Sequence, residues 1–263
     1  MFGAFLDHHV HSTFSWDSES SLDSLVASAR RAGLGGFVLT DHVEFDPTDP
    51  GFGRYDYDAA REAWDEIRSV TPDLKIRFGA EVTHQTRAFE EIRDFLHARR
   101  FHWVIGSVHY VGREEISTYV ARVEAEGIPL EDCFGDYFRD CLKVVESNLY
   151  DCLGHLDFPK RYSRLRPDCT GDFWLKHYGK TITSVLTACL DMAVFLEVNT
   201  GPYRVGFNEP FPGWAILARY RDLGGSEVVL SSDAHRPEDV GTAYGAVVKE
   251  LSRMGLTVRN GVA

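Results

Sequence analysis

Short apolar runs of β character alternate with longer stretches of helical periodicity along this 263-residue chain, and that alternation constrains the fold more than any other feature. Seven strands are predicted: Ala4–His9, Gly36–Thr40, Lys75–Glu81, Trp103–Ser107, Cys152–His155, Ala193–Asn199 and Glu227–Ser232, each followed by a plausible helix. This is the rhythm of parallel α/β folds. Its length suits two small domains or one α/β barrel of roughly 250 residues. Seven β/α units in series favour one closed or nearly closed barrel spanning residues 1–263, although a doubly wound open sheet gives a similar alternation.

The first helix is clearest, with Ser20 or Ser21 as cap, Leu22, Leu25, Val26 and Ala29 on one face, and Gly33 as stop. Further helices are expected over Asp58–Val70, Ala88–Arg99, Leu130–Asn148, Asp172–Asp191, Trp214–Leu223 and Val240–Met254. Two irregular segments, Val43–Asp56 and Pro159–Gly171, follow strand ends, and in a barrel they overhang the same mouth. The second carries Lys160, Arg161, Arg164 and Arg166, a basic cluster in an acidic chain.

Forty acidic residues against 28 Lys and Arg leave a formal charge of −12, which repels nucleic-acid phosphates and anionic membranes, so neither is an expected partner. A small anionic substrate then needs a locally positive pocket, which metal ions provide. Cys133, Cys141, Cys152, Cys169 and Cys189 form no CxxC pair and read as reduced packing residues. With no long apolar span and no signal-peptide pattern, a cytoplasmic protein is expected.

Six of the eleven histidines, His9, His11, His42, His109, His155 and His235, fall at or just beyond predicted strand ends, where a barrel carries its active site. Asp7, Asp41, Glu81 and Asp233 occupy comparable places. Residues two apart on an extended strand face the same side, so His9 and His11 can share one ion while His8 faces away. Imidazole with carboxylate suits Zn²⁺, Mn²⁺ or Fe²⁺, and the number of candidate ligands implies more than one ion. No cysteine joins them, which argues against a closed structural zinc site.

These residues resemble the PHP (polymerase and histidinol phosphatase) metal-dependent phosphoesterases. The matching pieces are Asp7-His8-His9-Val10-His11, Thr40-Asp41-His42, Gly79-Ala80-Glu81, Gly106-Ser107-Val108-His109, Gly154-His155-Leu156-Asp157 and Ser232-Asp233-Ala234-His235. Residues 11–17, 103–109 and 154–161 look most like the monofunctional histidinol-phosphatase branch. The resemblance implies a distorted (β/α)₇ barrel with a trinuclear centre. By it, His9, His11, Glu81 and Asp233 hold one ion, Glu81, His109 and His155 a second, and Asp17, His42 and His235 a third. Asp17 fills a position that is histidine in some relatives, a variation that bears on the third ion's identity and affinity. Asp41 and Asp157 are placed to orient His42, His155 or nearby positive groups. Arg161 and Arg204 match positions of basic phosphate contacts, with Lys160 and Arg164 in reserve.

Phosphate monoesters hydrolyse very slowly unless a catalyst neutralises the phosphoryl oxygens, supplies a nucleophile and stabilises the departing alkoxide, and clustered divalent ions do all three. The implied reaction is in-line attack by a hydroxide shared between two metals bridged by Glu81, with Asp233 or His235 protonating the leaving oxygen. The chain carries no GxSxG elbow or P-loop, and Ser12 and Ser15 read as loop hydrogen-bonding residues. The branch implies L-histidinol phosphate as substrate, whose cationic end Glu44, Asp46 and Asp49 are placed to attract.

Three other readings compete. A PHP phosphodiesterase or nuclease is disfavoured by the charge and by the lack of a basic, aromatic-rich groove. Amide hydrolysis is disfavoured by Arg161 and Arg204, and a noncatalytic metal-binding module by the completeness of the ligand set. Native metal, oligomeric state, the group that protonates the leaving oxygen and the choice between L-histidinol phosphate and another phosphomonoester are left open.

Overall fold

The computed structural model describes residues 5–162 and 169–261, so Ala4 of the first expected strand, Arg164 and Arg166 lie outside the described residues. Seven parallel strands follow one another around the sheet in chain order: β1 Leu6–Val10, β2 Gly36–Leu39, β3 Lys75–Thr83, β4 Trp103–Ser107, β5 Cys152–Leu153, β6 Phe195–Asn199 and β7 Glu227–Ser231. Two short strands complete this sheet, His42–Val43 beside Glu81–Val82 of β3 and Thr257–Val258 beside the start of β7.

The ring closes only at its upper end. There Asp233 N donates to His9 O at 2.8 Å and His11 N to Ala234 O at 2.9 Å. At the lower end β7 pairs instead with Thr257–Val258. The chain is therefore a distorted (β/α)₇ barrel, closed at its mouth and wedged open at its base.

The helices are α1 Leu22–Ala32, α2 Tyr57–Val70, α3 Phe89–His97, α4 Ile116–Ala125, α5 Gly135–Glu146, α6 Gly171–Asp191, α7 Trp214–Asp222 and α8 Tyr244–Met254. Local chemistry sets several ends. Ser21 Oγ accepts from Ser24 N to start α1, Gly33 in the left-handed region stops it, and Asp56 caps α2 through Ala59 N.

Three expectations are corrected. The single helix over Leu130–Asn148 is a one-turn 3₁₀ segment, Leu130–Asp132, followed by α5, whose buried Tyr137, Phe138, Cys141, Val144 and Val145 keep the apolar face. Helix α4, with the hairpin of Tyr110–Val111 and Glu114–Glu115 before it, has no counterpart in the sequence reading. The last helix starts at Tyr244 rather than Val240, because Gly241 and Ala243 both have positive φ.

Inside the barrel, Val38, Trp103, Ile105, Cys152 and Val229 from four different strands pack on one another and fill its lower half. His8 belongs to this floor. Its ring centroid is 5.5 Å from that of Trp103, Nδ1 is 3.2 Å from Leu230 O, and burial lowers its pKa to about 4. Asp7 is buried too and accepts from Ser232 N and Oγ and from Gly241 N, which ties β1 to the loop beyond β7. Side chains fill this lower interior even though β1 and β7 do not pair there, so chemistry is confined to the mouth.

Candidate metal centre

Glu81, near the top of β3, is the hub. Its Oε2 lies 3.1 Å from His9 Nε2, 3.6 Å from His11 Nε2 and 3.0 Å from His42 Nδ1. Its Oε1 lies 2.9 Å from His155 Nε2 and 3.5 Å from His109 Nε2. Ser107 Oγ donates to Oε1 at 2.6 Å, and a Cβ on Gly154 would strike that hydroxyl, so the glycine makes room for the contact. One carboxylate thus presents an oxygen to each of two imidazole groups.

Among the described residues, four overlapping triads of potential ligands meet here: His9, His11 and Asp233; His11, His42 and His235; His42, Glu44 and His109; and Glu81, His109 and His155. Asp233 Oδ1 is 3.6 Å from His9 Nε2 and 3.2 Å from His11 Nε2. His109 Nε2 and His155 Nε2 are 3.3 Å apart. Asp17 Oδ2 is 3.2 Å from His235 Nε2 and 3.6 Å from His42 Nε2, and those two nitrogens are 3.4 Å apart. The structure therefore brings together all nine residues singled out as ligands in the sequence.

The outward ring nitrogens explain how the inner ones are aimed. His9 Nδ1 is 2.6 Å from Glu197 Oε1. His11 Nδ1 is 3.0 Å from Ser15 Oγ, which itself donates to Asp41 Oδ1 at 2.9 Å. His109 Nδ1 is 2.7 Å from Thr83 Oγ1, which donates to Glu44 Oε1. When each Nδ1 carries the proton and donates it outward, each Nε2 keeps a lone pair facing the centre. His9 Nε2 and His11 Nε2 are buried and have no hydrogen-bond partner. Buried acceptors left unpaired are costly, and divalent cations that take up those lone pairs remove the cost.

Electrostatics agree. Burial pushes Glu81 and Asp233 upward, but the surrounding imidazoles outweigh it and hold both carboxyls well below their usual range. Burial, reinforced by His235 and His42, keeps His11 well below its usual value and therefore neutral. Burial also opposes charge on His9, yet Glu81, Glu197 and Asp233 overcome it and raise its pKa. A field that favours a proton at His9 favours a metal cation in its place.

Above the centre lies a cleft of about 880 Å³, whose walls include Arg161 and Arg204. Arg161 Cζ is 5.7 Å from the centre of the Phe158 ring, which stacks on His155. Arg204 is more committed: its two Nη atoms donate to Ser232 O at 2.5 Å and Asp233 O at 2.9 Å. It holds the turn in which Asp233, a non-glycine residue, has a φ of 54°.

Several polar residues have other duties than the sequence implied. Lys160 is no reserve for the arginines, because it is fully buried, with Nζ 2.9 Å from Asp157 Oδ2, 3.0 Å from Glu209 Oε1 and 2.5 Å from Pro210 O. Asp157 accordingly braces Lys160, a nearby positive group as expected, and not His155. Asp41 binds Ser12 and Ser15 and acts on His11 through Ser15. Asp46 is buried against Thr48 and Arg87, so it is not a free anion at the mouth. Glu44 and Asp49 both line the cleft, Glu44 bound to Thr83 and 3.6 Å from His42 Nδ1, with its pKa raised by burial to about 7. Glu197 was missed as a partner of the centre, and its one sequence signal is a carboxylate within the apolar run of β6.

A profile of the PHP domain family matches residues 7–201. The chain belongs to the PHP family. Among its PHP relatives, a probable histidinol-phosphatase from Thermotoga maritima is 26% identical over 251 residues, covering 94% of this chain and 91% of the relative. A histidinol-phosphatase from Lactococcus lactis is 28% identical over 240 residues, covering 88% and 84%. The crystal structure of the Lactococcus lactis histidinol phosphate phosphatase, complexed with zinc, L-histidinol and phosphate, matches with a TM-score of 0.80 at 24% identity, covering 97% of this chain and 95% of that one. The PHP match stops before β7, and Asp233 and His235, beyond it, lie in the same cluster of side chains. Among the described residues no helix is long and apolar enough to cross a membrane.

Proposed function

We propose that this protein is a histidinol-phosphate phosphatase, hydrolysing L-histidinol phosphate to L-histidinol and inorganic phosphate, with residues 1–263 acting as one catalytic domain. The observation that carries the reading is Glu81, whose two oxygens face separate imidazole groups beneath a cleft walled by Arg161 and Arg204. The similarity to the Thermotoga maritima and Lactococcus lactis proteins, named for this activity, supports the choice of substrate. Five buried cysteines with no CxxC pair fit a reducing cytoplasm.

Three divalent ions, drawn from zinc, manganese and iron, fit the donor set. His9, His11, Glu81 and Asp233 would hold the first, Glu81, His109 and His155 the second, and Asp17, His42 and His235 the third. Such ions supply Lewis-acid neutralisation of the phosphoryl oxygens and lower the pKa of water to near neutrality. The protein's own contribution is positional. Glu197, Ser15 and Thr83 fix the imidazole tautomers, Arg161 brings a guanidinium to the phosphate, and Arg204 secures the Asp233 turn while lining the same cleft. Asp233, whose Oδ1 faces the imidazoles while Oδ2 lies beside Asn199, is the better placed of the two candidates to pass a proton to the leaving oxygen, because Nε2 of His235 would be taken up by the third ion.

A phosphate-release screen of metal-loaded protein tests this. The reading expects kcat/KM for L-histidinol phosphate to exceed that for other monoesters and for the diester bis-p-nitrophenyl phosphate. Preference for another monoester overturns the substrate, and preference for the diester overturns the reaction class.

A further inference from the structure

Trp16 is one of the most exposed large apolar side chains of the protein, at 44% of its full accessibility, and it forms part of the cleft wall beside Asp17. A tryptophan offers a large flat apolar face and one polar N–H, a combination enriched where proteins bind other molecules. This one is also seated. A Cβ built on Gly51 would lie 2.5 Å from Trp16 Cδ1 and 3.0 Å from Nε1, so only a glycine lets the pyrrole edge of the indole rest on that backbone. The supporting loop is itself braced, because Asp49 accepts from Gly51 N at 2.7 Å and from Tyr110 Oη at 2.7 Å. Trp16 is thus a flat aromatic surface held along one edge and open to the cleft.

The position of that surface defines what it meets. Arg161 and the metal-ligand cluster draw the phosphate to the floor of the cleft, so the alcohol portion of a monoester extends toward the wall. Val205, 45% exposed, lines the same cleft and adds a second apolar surface. We propose that Trp16 is a specificity-determining residue that stacks on a planar ring in the leaving group, selecting monoesters of ring-bearing alcohols over ring-free ones. The inference rests on the phosphomonoesterase reading above and adds the residue that reads the alcohol. It has a physical rationale in offset stacking, which favours any flat π-system, and in the strength of tryptophan as a partner for a cationic ring.

Steady-state kinetics of W16F and W16L, compared on L-histidinol phosphate and O-phosphoethanolamine, test it, because both variants keep apolar bulk and only one keeps a ring. W16L is expected to raise KM for L-histidinol phosphate about tenfold with kcat little changed, and W16F to stay within about threefold of wild type. Neither variant should move KM for O-phosphoethanolamine or the metal content by elemental analysis. Equal behaviour of W16F and W16L, parallel changes on both substrates, or metal loss in both variants overturns the proposal. If wild-type protein releases no phosphate from L-histidinol phosphate, the substrate reading has failed. The ring test then stands on p-nitrophenyl phosphate against O-phosphoethanolamine, with the same expected contrast.

Discussion

His9 Nδ1 lies 2.6 Å from Glu197 Oε1, both side chains are buried, and this contact decides which nitrogen of His9 faces the candidate centre. Glu197 also accepts from His155 N at 2.6 Å and from Ser231 Oγ at 2.7 Å, so one carboxylate on β6 joins three neighbouring strand ends. Glu197→Gln, which offers His9 a mixed donor and acceptor in place of a charged acceptor, is expected to weaken metal affinity by about tenfold or more. Competition with a chelator of known affinity measures it; unchanged affinity would confine Glu197 to a scaffold role.

The two cleft arginines are expected to separate. Arg161→Ala should keep metal content and lower kcat/KM toward L-histidinol phosphate by about tenfold or more, because it removes a charge-assisted partner of phosphate. Arg204→Ala should lower kcat/KM and also metal content, since it releases the carbonyls of Ser232 and Asp233. Kinetics and elemental analysis on both variants read the contrast, and equal metal content in the two would return Arg204 to the role of a phosphate contact alone.

Lys160 offers a stability test. Its ammonium is the counter-charge for Asp157 and Glu209 inside the protein, so Lys160→Met leaves buried carboxylates uncompensated, at a cost of about 3–5 kcal/mol. Urea denaturation of the variant measures this, and a cost under about 1 kcal/mol would mean that water or rearrangement replaces the ammonium.

Acid should also weaken the fold through His84, whose buried ring contacts Tyr150 Oη at 3.0 Å and whose pKa burial lowers from 6.5 to about 4. The unfolded chain takes up this proton near 6.5 while the folded chain resists it until about 4. The contribution is therefore whole above pH 6.5 and is lost as pH falls through that window. From about pH 7 to pH 5 the loss at this residue is about 2 kcal/mol, and His84→Asn should be less acid-sensitive by that amount. Urea midpoints of both proteins at the two pH values decide it; parallel decline contradicts the assignment.

Strand order and the placing of His9, His11, His42, Glu81, His109, His155, Asp233 and His235 were legible because period, strand-end position and residue type are local. What escaped depends on distant partners. Glu197 meets His9 across 188 positions, and its duty exists only once β6 stands near β1 in the ring. Lys160 reads in the sequence as a reserve phosphate contact, and only Glu209, 49 positions away, shows that its charge is spent inside the protein. Arg204 was visible as a cation after a strand, but its guanidinium is committed to backbone carbonyls that no side-chain pattern records. Helix α4 follows a hairpin only two residues wide on each side, too short for a period-two signal.

The most direct measurement is phosphate release from L-histidinol phosphate and metal content, determined on the same preparations of wild-type protein and Glu81→Ala. The wild type is expected to turn over the substrate with about three divalent ions per chain. Glu81→Ala should lose metal and nearly all kcat together, because one missing carboxylate disturbs two imidazole groups. A variant that keeps both its metal and its turnover, or a wild type that is fully active with a single ion, would contradict a phosphatase centre built around Glu81.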